Sequence, residues 1–320
     1  MTEFQFVGID VAKDKFDVSI KVGGRYKNEV FSQDKKGHAS FLKWLKSTTS
    51  IPWVGMEATG HYSELLAEFL AAQQVQVSVV NPLQVKHFMK AKLARNKNDQ
   101  VDARYISEFC QLMQPPVYEV KSPEQKELRE LTKLLSAIKG QITQLKNQLH
   151  STQSKTVEKT LNKLIKQLDA EVEAIEKKLA EIVNSQQQLK ESLVLITSIK
   201  GIGNLTAYHI LARMPDIKYF KSPKQFAAFI GISPKQHQSG LMQGRTTLSK
   251  LGSARLRKAF YMSALSAKRH NKALQPFVNQ LKNAGKKPKA ILGAVMRKLA
   301  HYVFAVLKNK QPFCENYSCF

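Results

Sequence analysis

The chain is poor in cysteine, and the few it has exclude two common uses of that residue. Only three occur among 320 residues, namely Cys110, Cys314 and Cys319. The number is odd and no CxxC pair is present, so the sequence predicts neither a disulfide framework nor a zinc site. A reduced, cytoplasmic compartment is expected.

Long apolar runs are also missing. The N-terminus has early acids and no signal-peptide core, and the most apolar stretch, residues 290–307, is interrupted by Arg297, Lys298 and His301. A membrane-spanning helix needs about 20 mostly apolar residues in a row. We therefore expect a soluble protein with no membrane partner.

Acidic residues are nearly absent from the last third of the chain. Residues 194–320 contain 22 Lys and Arg but only two acids, Asp216 and Glu315, whereas residues 1–120 and 121–193 are close to balanced. Charge that serves solubility normally mixes both signs. A basic region of one sign is typical of proteins that bind a phosphate backbone, so nucleic acid is the expected partner.

The first predicted domain, residues 1–120, has an α/β pattern. Three strands are followed by helix, strand, helix and strand, which is the order of an RNase H-like or RuvC-like fold. The predicted strands are 4–12, 15–22, 28–32, 52–58 and 75–82, and the predicted helices are 38–46 and 63–74.

The second predicted domain, residues 121–193, is helical. Leu and Ile recur at alternating spacings of three and four over residues 128–149, and Leu, Ile and Val do so again over 161–182. This heptad pattern predicts a coiled coil, either as a hairpin within one chain or between protomers of a dimer or tetramer. An ordinary helical bundle is the alternative.

The third predicted domain, residues 194–320, is mainly α-helical and basic. Its KGIG segment lies between two helical runs and predicts a helix-hairpin-helix. The backbone N–H groups of Gly201 and Gly203, with Lys200 beside them, would then approach a phosphate closely. The alternative is a tight helix–helix turn in which glycine has only a steric purpose.

Four carboxylates form the strongest chemical pattern. Asp10 and Glu57 end two apolar strands, and Asp99 and Asp102 lie three residues apart on one face of a predicted helix. Converging carboxylates would bind Mg²⁺ or Mn²⁺, the cations used in phosphodiester chemistry. The sequence thus predicts a metal-dependent enzyme acting on nucleic acid.

Other charged residues near this set have simpler interpretations. Arg95 and Lys97 would balance the acids or contact phosphate. Asp14 and Asp17 are predicted to be solvated turn residues, and the alternative for Asp99 is that it only caps its helix.

These residues together resemble a known family. GIDVAK, MEATGHY, VVNP and RNKNDQVDARYISEFC are similar to the RuvC-like DEDD domain of insertion-sequence family one-ten transposases, which also include Piv-type DNA invertases. SIKGIGNLTA, FAAFIGISPKQHQSG, LSKLGSARLRKAFYMSAL and GKKPKAILGAVMRKLAHYVFAVLK resemble the C-terminal transposase domain of that family. The resemblance covers almost the whole chain, in order.

The resemblance implies roles that composition does not. Asp10, Glu57, Asp99 and Asp102 match the metal-binding DEDD quartet. Ser239, in HQSGLMQGR, matches the nucleophile that links covalently to a DNA phosphate, although the loop after it is one residue shorter than the family pattern. The two domains would meet at the DNA, across a dimer. The basic residues expected to contact nucleic acid in the last domain are Arg245, Lys250, Arg255 and Arg257.

Family members are also guided by a non-coding bridge RNA, so RNA is a second expected partner. The expected location is the cytoplasm of a bacterium or archaeon, at the nucleoid.

Two other functions stay open on the residues alone. One is a RuvC-like nuclease or resolvase that hydrolyses DNA, and the other is a non-enzymatic nucleic-acid-binding protein. Within the family, the sequence does not separate a transposase from an invertase.

Overall fold

A computed structural model describes residues 4–94, 98–236, 238–239, 242–243 and 246–314. The chain forms two compact units, Met1–Lys121 and Ser122–Phe320. The predicted mixed α/β character of the N-terminal region and the helical character of the remainder are confirmed.

The first unit is a five-stranded sheet with helices on both faces. The strand order is β3-β2-β1-β4-β5, in which β1, β2 and β3 are antiparallel and β1, β4 and β5 are parallel. Its elements are β1 (Gln5–Val11), β2 (Lys15–Val22), β3 (Arg25–Ser32), α1 (Lys35–Thr48), β4 (Pro52–Glu57), α2 (His61–Ala72), β5 (Gln76–Val80), α3 (Pro82–Ala91) and α4 (Asp99–Met113).

The two faces of this sheet differ because side chains alternate along each strand. Val7, Ile9 and Val11 of β1 point to one face, where they join a core that includes Phe41 of α1 and Leu66 of α2. The other face carries glycine, polar and aromatic residues, and α4 packs against it across β1, β2 and β4. The catalytic candidates lie on this second face.

The second unit is built mainly of helices. Two pairs of two-residue strands, β6 with β9 and β7 with β8, lie between its fifth and sixth helices. Its elements are α5 (Pro123–Ser151), α6 (Lys155–Ser185), α7 (Gln187–Thr197), α8 (Asn204–Leu211), α9 (Pro223–Ile230), β6 (Pro234–Lys235), β7 (Gln238–Ser239), β8 (Met242–Gln243), β9 (Thr247–Leu248), α10 (Ala254–His270), α11 (Gln275–Asn283) and α12 (Pro288–Asn309), with 3₁₀ turns at Ile217–Tyr219 and Lys272–Leu274.

The two heptad stripes pack against each other within one chain. α5 begins with a capping box between Ser122 and Gln125, and α6 follows it after three residues, so the helices run antiparallel. Lys139 of α5 and Glu176 of α6 form an ion pair at 2.7 Å. Their apolar residues belong to one hydrophobic cluster that continues through α8, α10 and α12. The hairpin arrangement is therefore the one observed for the single chain.

α12 is long and apolar enough, by length and composition alone, to cross a membrane. Ile291, Val295, Leu299 and Val303 on this helix are buried in the core of the second unit. The core helix of a soluble protein has the same properties, so this helix is weak evidence for a membrane span.

Candidate catalytic site and basic surface

Two of the four predicted acids lie side by side near the carboxyl ends of two interior strands of the sheet. β1 and β4 are parallel neighbours with Ile9 opposite Met56, so Asp10 and Glu57, one residue further, occupy adjacent positions near the ends of their strands. Both side chains are half-buried. Because side chains alternate, they point to the same face as Gly8 and Gly55, which is the face that α4 covers.

Glycine lets α4 approach this face closely. A Cβ atom on Gly8 would overlap the backbone of Ala103, and one on Gly55 would overlap the thiol of Cys110. The Ser107 hydroxyl fixes the helix by donating to the carbonyl oxygen of Phe6 at 2.8 Å. α4 therefore crosses β1 and β4 at short range, and its first turn carries the other two acids.

Asp99 and Asp102 both lie in the first turn of α4. The N-cap is Asn98, whose side chain accepts from the Val101 N–H at 2.8 Å, so the alternative that Asp99 merely caps the helix is wrong. Asp99 instead accepts a hydrogen bond from the Lys15 ammonium at 2.9 Å. Carboxylates at this end of a helix are also stabilised by the helix dipole.

Asp17 is a fifth acid at this site, and the expectation that it is a solvated turn residue is wrong. It lies within β2 directly opposite Asp10 and is only 3 % exposed. Its carboxylate pairs with Lys15 at 2.9 Å. Lys15 thus bridges Asp17 and Asp99, and these two hydrogen bonds raise the pKa of its ammonium group.

The sequence contained a signal for Asp17. Phe16, Val18 and Ile20 alternate as one apolar face of a strand, which assigns Asp17 to the opposite face. Since antiparallel partners share a face, Asp17 belongs to the face that carries Asp10.

The donor set fits a hard divalent cation, because all the candidate ligands are carboxylate oxygens. A cationic group, the Lys15 ammonium, already lies between two carboxylates of this site. Within the described ranges, however, no three His, Cys, Asp or Glu side chains are arranged as a group that could hold a metal ion. A metal would therefore have to draw the carboxylates of α4 and the sheet together.

The KGIG turn joins α7 to α8, and its two glycines differ. Gly201 has φ +104°, and a Cβ there would overlap the backbone of Ala267 in α10, so packing alone requires glycine. Gly203 precedes α8, is exposed, and has no atom within 4 Å of its Cβ position. Of the two, Gly203 is the one with space for a phosphate. Lys200 is exposed beside them.

The predicted basic contacts fall into separate groups. Lys250 and Arg255 are exposed. Arg257 donates to the carbonyl oxygens of Gly252 at 2.9 Å and Ile230 at 3.3 Å, so its guanidinium holds the loop that follows α9. Arg95, Lys97 and Arg245 lie outside the described residues.

Only the backbone of Ser239 can be described. It lies in β7, whose two residues pair with β8 so that Ser239 is opposite Met242. The serine therefore belongs to a short antiparallel strand pair that lies between α9 and α10 in the chain.

Comparison with known proteins identifies the chain. An IS110-type DEDD family model, described as a transposase, matches residues 7–158, and the transposase model of the IS116/IS110/IS902 family matches residues 194–279. The chain belongs to the IS110 transposase family. This is the family whose motifs the sequence resembles, and it consists of DNA-processing enzymes, so DNA is a partner.

Relatives of this IS110-family chain include both inverting and transposing proteins. A pilin gene-inverting protein of Moraxella bovis is 29 % identical over 96 % of this chain and 97 % of its own length. A transposase for insertion sequence element IS1111A of Coxiella burnetii is 25 % identical over 85 % of this chain and 80 % of its own length. The four DEDD candidates lie within the first matched region, and Ser239 lies within the second.

Proposed function

We propose that the chain is a DNA recombinase that cuts and rejoins DNA strands through a serine–DNA covalent intermediate. The observation that carries this proposal is the alignment of Asp10 and Glu57 on adjacent strands of the face that α4 covers, with Asp99 and Asp102 in the first turn of that helix. The sheet order supports a RuvC-like assignment for this unit, and the family match supports strand transfer as the reaction class.

Asp10, Glu57, Asp99 and Asp102 would hold Mg²⁺ or Mn²⁺. When bound, the metal would stabilise negative charge on the phosphate oxygens that react. The chain's own contribution is to fix the two strand-borne acids on a rigid sheet and to bring α4 close through Gly8 and Gly55. Lys15 and Asp17 would hold Asp99 in position before the metal arrives.

Ser239 would act as the nucleophile. Its oxygen forms a bond to a DNA phosphorus, the deoxyribose oxygen leaves and takes up a proton, and the serine gives up its own proton. A hydroxyl of a second strand then loses its proton and attacks the serine-linked phosphorus, and the serine oxygen leaves and takes up a proton, so that the new strands are joined. Bond energy is conserved, so no external energy source is required.

The finer family features are part of the same proposal. A bridge RNA would select the DNA sites, the α5–α6 hairpin would act as a coiled coil that joins protomers into a dimer or tetramer, and the KGIG turn would act as a helix-hairpin-helix. The heptad pattern of the hairpin and the excess of basic residues in 194–320 support these assignments. The acid quartet implies Mg²⁺ dependence, and action on chromosomal DNA implies a cytoplasmic, nucleoid-associated location.

The test is a strand-exchange assay with the full chain and the RNA and DNA that co-purify with it. Ser239→Ala should abolish joined product, while Ser249→Ala, in the same segment, should leave it unchanged. Full exchange by Ser239→Ala would refute the serine mechanism, and cleavage without joining would favour a hydrolytic RuvC-like nuclease.

A second candidate within the family is an inversion rather than a transposition reaction. The relative of 29 % identity that spans nearly all of both chains is a pilin gene-inverting protein, which favours it. The products decide between them: an inverted segment at a fixed locus supports an invertase, and an excised or newly inserted element supports a transposase.

A further inference from the structure

A cluster of cations lies where α5, α8 and α10 of the second unit meet. Arg213 follows α8 and is half-buried, and its Nη1 donates to Thr132 Oγ1 at 3.1 Å and to His209 Nδ1 at 3.2 Å. Thr132 is fully buried in α5, and its hydroxyl donates to the carbonyl oxygen of Arg129. The guanidinium is therefore fixed by two neutral groups, in contact with two helices.

More positive charge surrounds this guanidinium. Arg255 and Lys258 lie three residues apart in the first part of α10, so they share a face of that helix. Burial, followed by the charges of Arg255 and Arg129, lowers the pKa of Arg213 to about 10. Burial, followed by Arg213, Lys139, Arg255 and Lys258, lowers the pKa of His209 to about 4.

No acid balances the central cations in the part of the chain that the structure describes. Neither a hydrogen bond nor an ion pair links Arg213, Arg255 or Lys258 to a carboxylate there. Glu176, the acid that acts on neighbouring Tyr208, is already paired with Lys139 at 2.7 Å. Cations this close repel one another, and a half-buried guanidinium without a counter-charge is costly, so the arrangement is best stabilised by an anion from outside.

We infer that Arg213, Arg255 and Lys258, beside Arg129, form a phosphate-binding site for the backbone of a nucleic acid. This inference rests on the proposed function for the identity of its ligand. Guanidinium groups match phosphate geometry well, and a fixed one loses little freedom on binding.

The surface next to the site favours a nucleic acid over a small anion. Tyr261 and Met262 follow Lys258 on α10 by about one turn and are 44 % and 57 % exposed. An exposed aromatic ring beside a phosphate site offers a base a stacking surface, as in proteins that bind unpaired strands. The cluster therefore contacts the backbone, while Tyr261 contacts a base.

The experiment compares two double variants of the full chain. Arg255→Gln with Lys258→Gln removes two cations from the cluster, and Lys282→Gln with Lys286→Gln removes two exposed cations at the end of α11. Affinity is measured against salt concentration for two probes, a duplex DNA and an RNA hairpin of arbitrary sequence. Arg213→Gln, with a thermal melt to verify folding, tests the buried member separately.

The cluster variant should lower affinity about 30-fold at moderate salt and reduce the salt slope by about two. The control pair should change affinity by less than about threefold. A loss for duplex DNA alone identifies DNA as the ligand, a loss for the hairpin alone identifies RNA, and a loss for both means that the site accepts either backbone. Equal effects of the two double variants on both probes would overturn the inference.

Failure of the proposed function is recognised separately. If the cluster variant loses binding while wild-type protein performs no Ser239-dependent exchange, the proposed function fails and the phosphate site stands. If strand exchange depends on Ser239 but the cluster variant binds nucleic acid as tightly as the control pair does, only the proposal of the phosphate site fails.

Discussion

The two charged clusters of this chain differ in how their charge is balanced. In the first unit, the carboxylates of Asp17 and Asp99 share the Lys15 ammonium at 2.9 Å each. In the second unit, the guanidinium of Arg213 meets only neutral acceptors, with further cations around it. The first cluster carries its own provisional cation, whereas the second is completed by an anion that the described chain does not supply.

The clusters also differ in how they are built. The acids belong to adjacent strands and to a helix that Gly8 and Gly55 allow to approach closely. Their backbone positions are therefore fixed by the packing of α4 against the sheet. The cations Arg255 and Lys258 are long, exposed side chains on one helix. Catalysis at a reacting atom requires rigidly placed groups such as the acids. Attraction of a charged nucleic-acid strand requires only exposed charges such as those of Arg255 and Lys258.

The largest expected effect separates the two clusters by function. Asp10→Asn removes a charge from the acid cluster and should lower strand exchange about a thousandfold while leaving nucleic-acid affinity within about twofold. Asp14→Asn, an exposed acid in the neighbouring turn, is the matched control and should have little effect. Equal loss in both variants, or loss of binding in Asp10→Asn, would remove the distinction between the clusters.

The next prediction tests the placement of the acids. Gly8→Ala forces a methyl group into the backbone of α4 and should lower the free energy of unfolding by about 3 kcal/mol, as overpacking does. Gly140→Ala, in α5 where nothing lies within 4 Å, should raise it by about 0.5–1 kcal/mol. Urea denaturation measures both. A Gly8→Ala variant with an unchanged free energy of unfolding would mean that α4 is not held close to β1.

The basic cluster should leave a signature in the pH dependence of stability. The pKa of His209 is about 4 in the folded chain, against 6.5 as its ordinary value, so the unfolded chain binds this proton first as the pH falls. Stability should therefore drop by about 1–2 kcal/mol between pH 7 and pH 5 on account of this group.

His209→Gln is the variant that isolates this contribution. It should make the free energy of unfolding less dependent on pH between pH 7 and pH 5. His301, whose pKa is also lowered, contributes equally to the wild type and to the variant. Parallel profiles would show that burial and the neighbouring cations do not lower the pKa of His209. Those cations are Arg213, Lys139, Arg255 and Lys258, with Lys139 paired to Glu176.

The smallest expected effect on stability concerns the Lys15 ammonium, which lies between Asp17 and Asp99. Lys15→Met leaves the buried Asp17 carboxylate without its ammonium partner and should lower the urea midpoint by less than Gly8→Ala does. Mn²⁺ should restore this loss and should stabilise the variant more than the wild type. Lys13→Met, an exposed lysine in the same turn, is the control. No difference in Mn²⁺ response would argue against a cation site here.

Much of the first unit could be predicted from the sequence because local patterns determine it. The order of strands and helices and the strand-end positions of Asp10 and Glu57 follow from alternation and turn residues. Alternation indicates the face of Asp17, but its position directly opposite Asp10 depends on the register between β1 and β2, which the sequence does not give.

The second unit was less predictable. Arg213 and Thr132 are 81 residues apart, and their contact depends on how α5 packs against α8. No spacing rule brings such residues together. Position 201 is also determined by a contact that the sequence does not reveal. Glycine is required there because a Cβ atom would overlap Ala267, and not because a phosphate approaches.

The most direct test of the central claim is to trap the covalent intermediate. End-labelled DNA is incubated with the full chain, its co-purified RNA and Mg²⁺, denatured, and examined for label that migrates with the protein. We predict a protein–DNA adduct that maps to the peptide containing Ser239, is lost in Ser239→Ala, and is strongly reduced in Asp10→Asn. An adduct that persists in Ser239→Ala, or joined product without any adduct, would contradict the account.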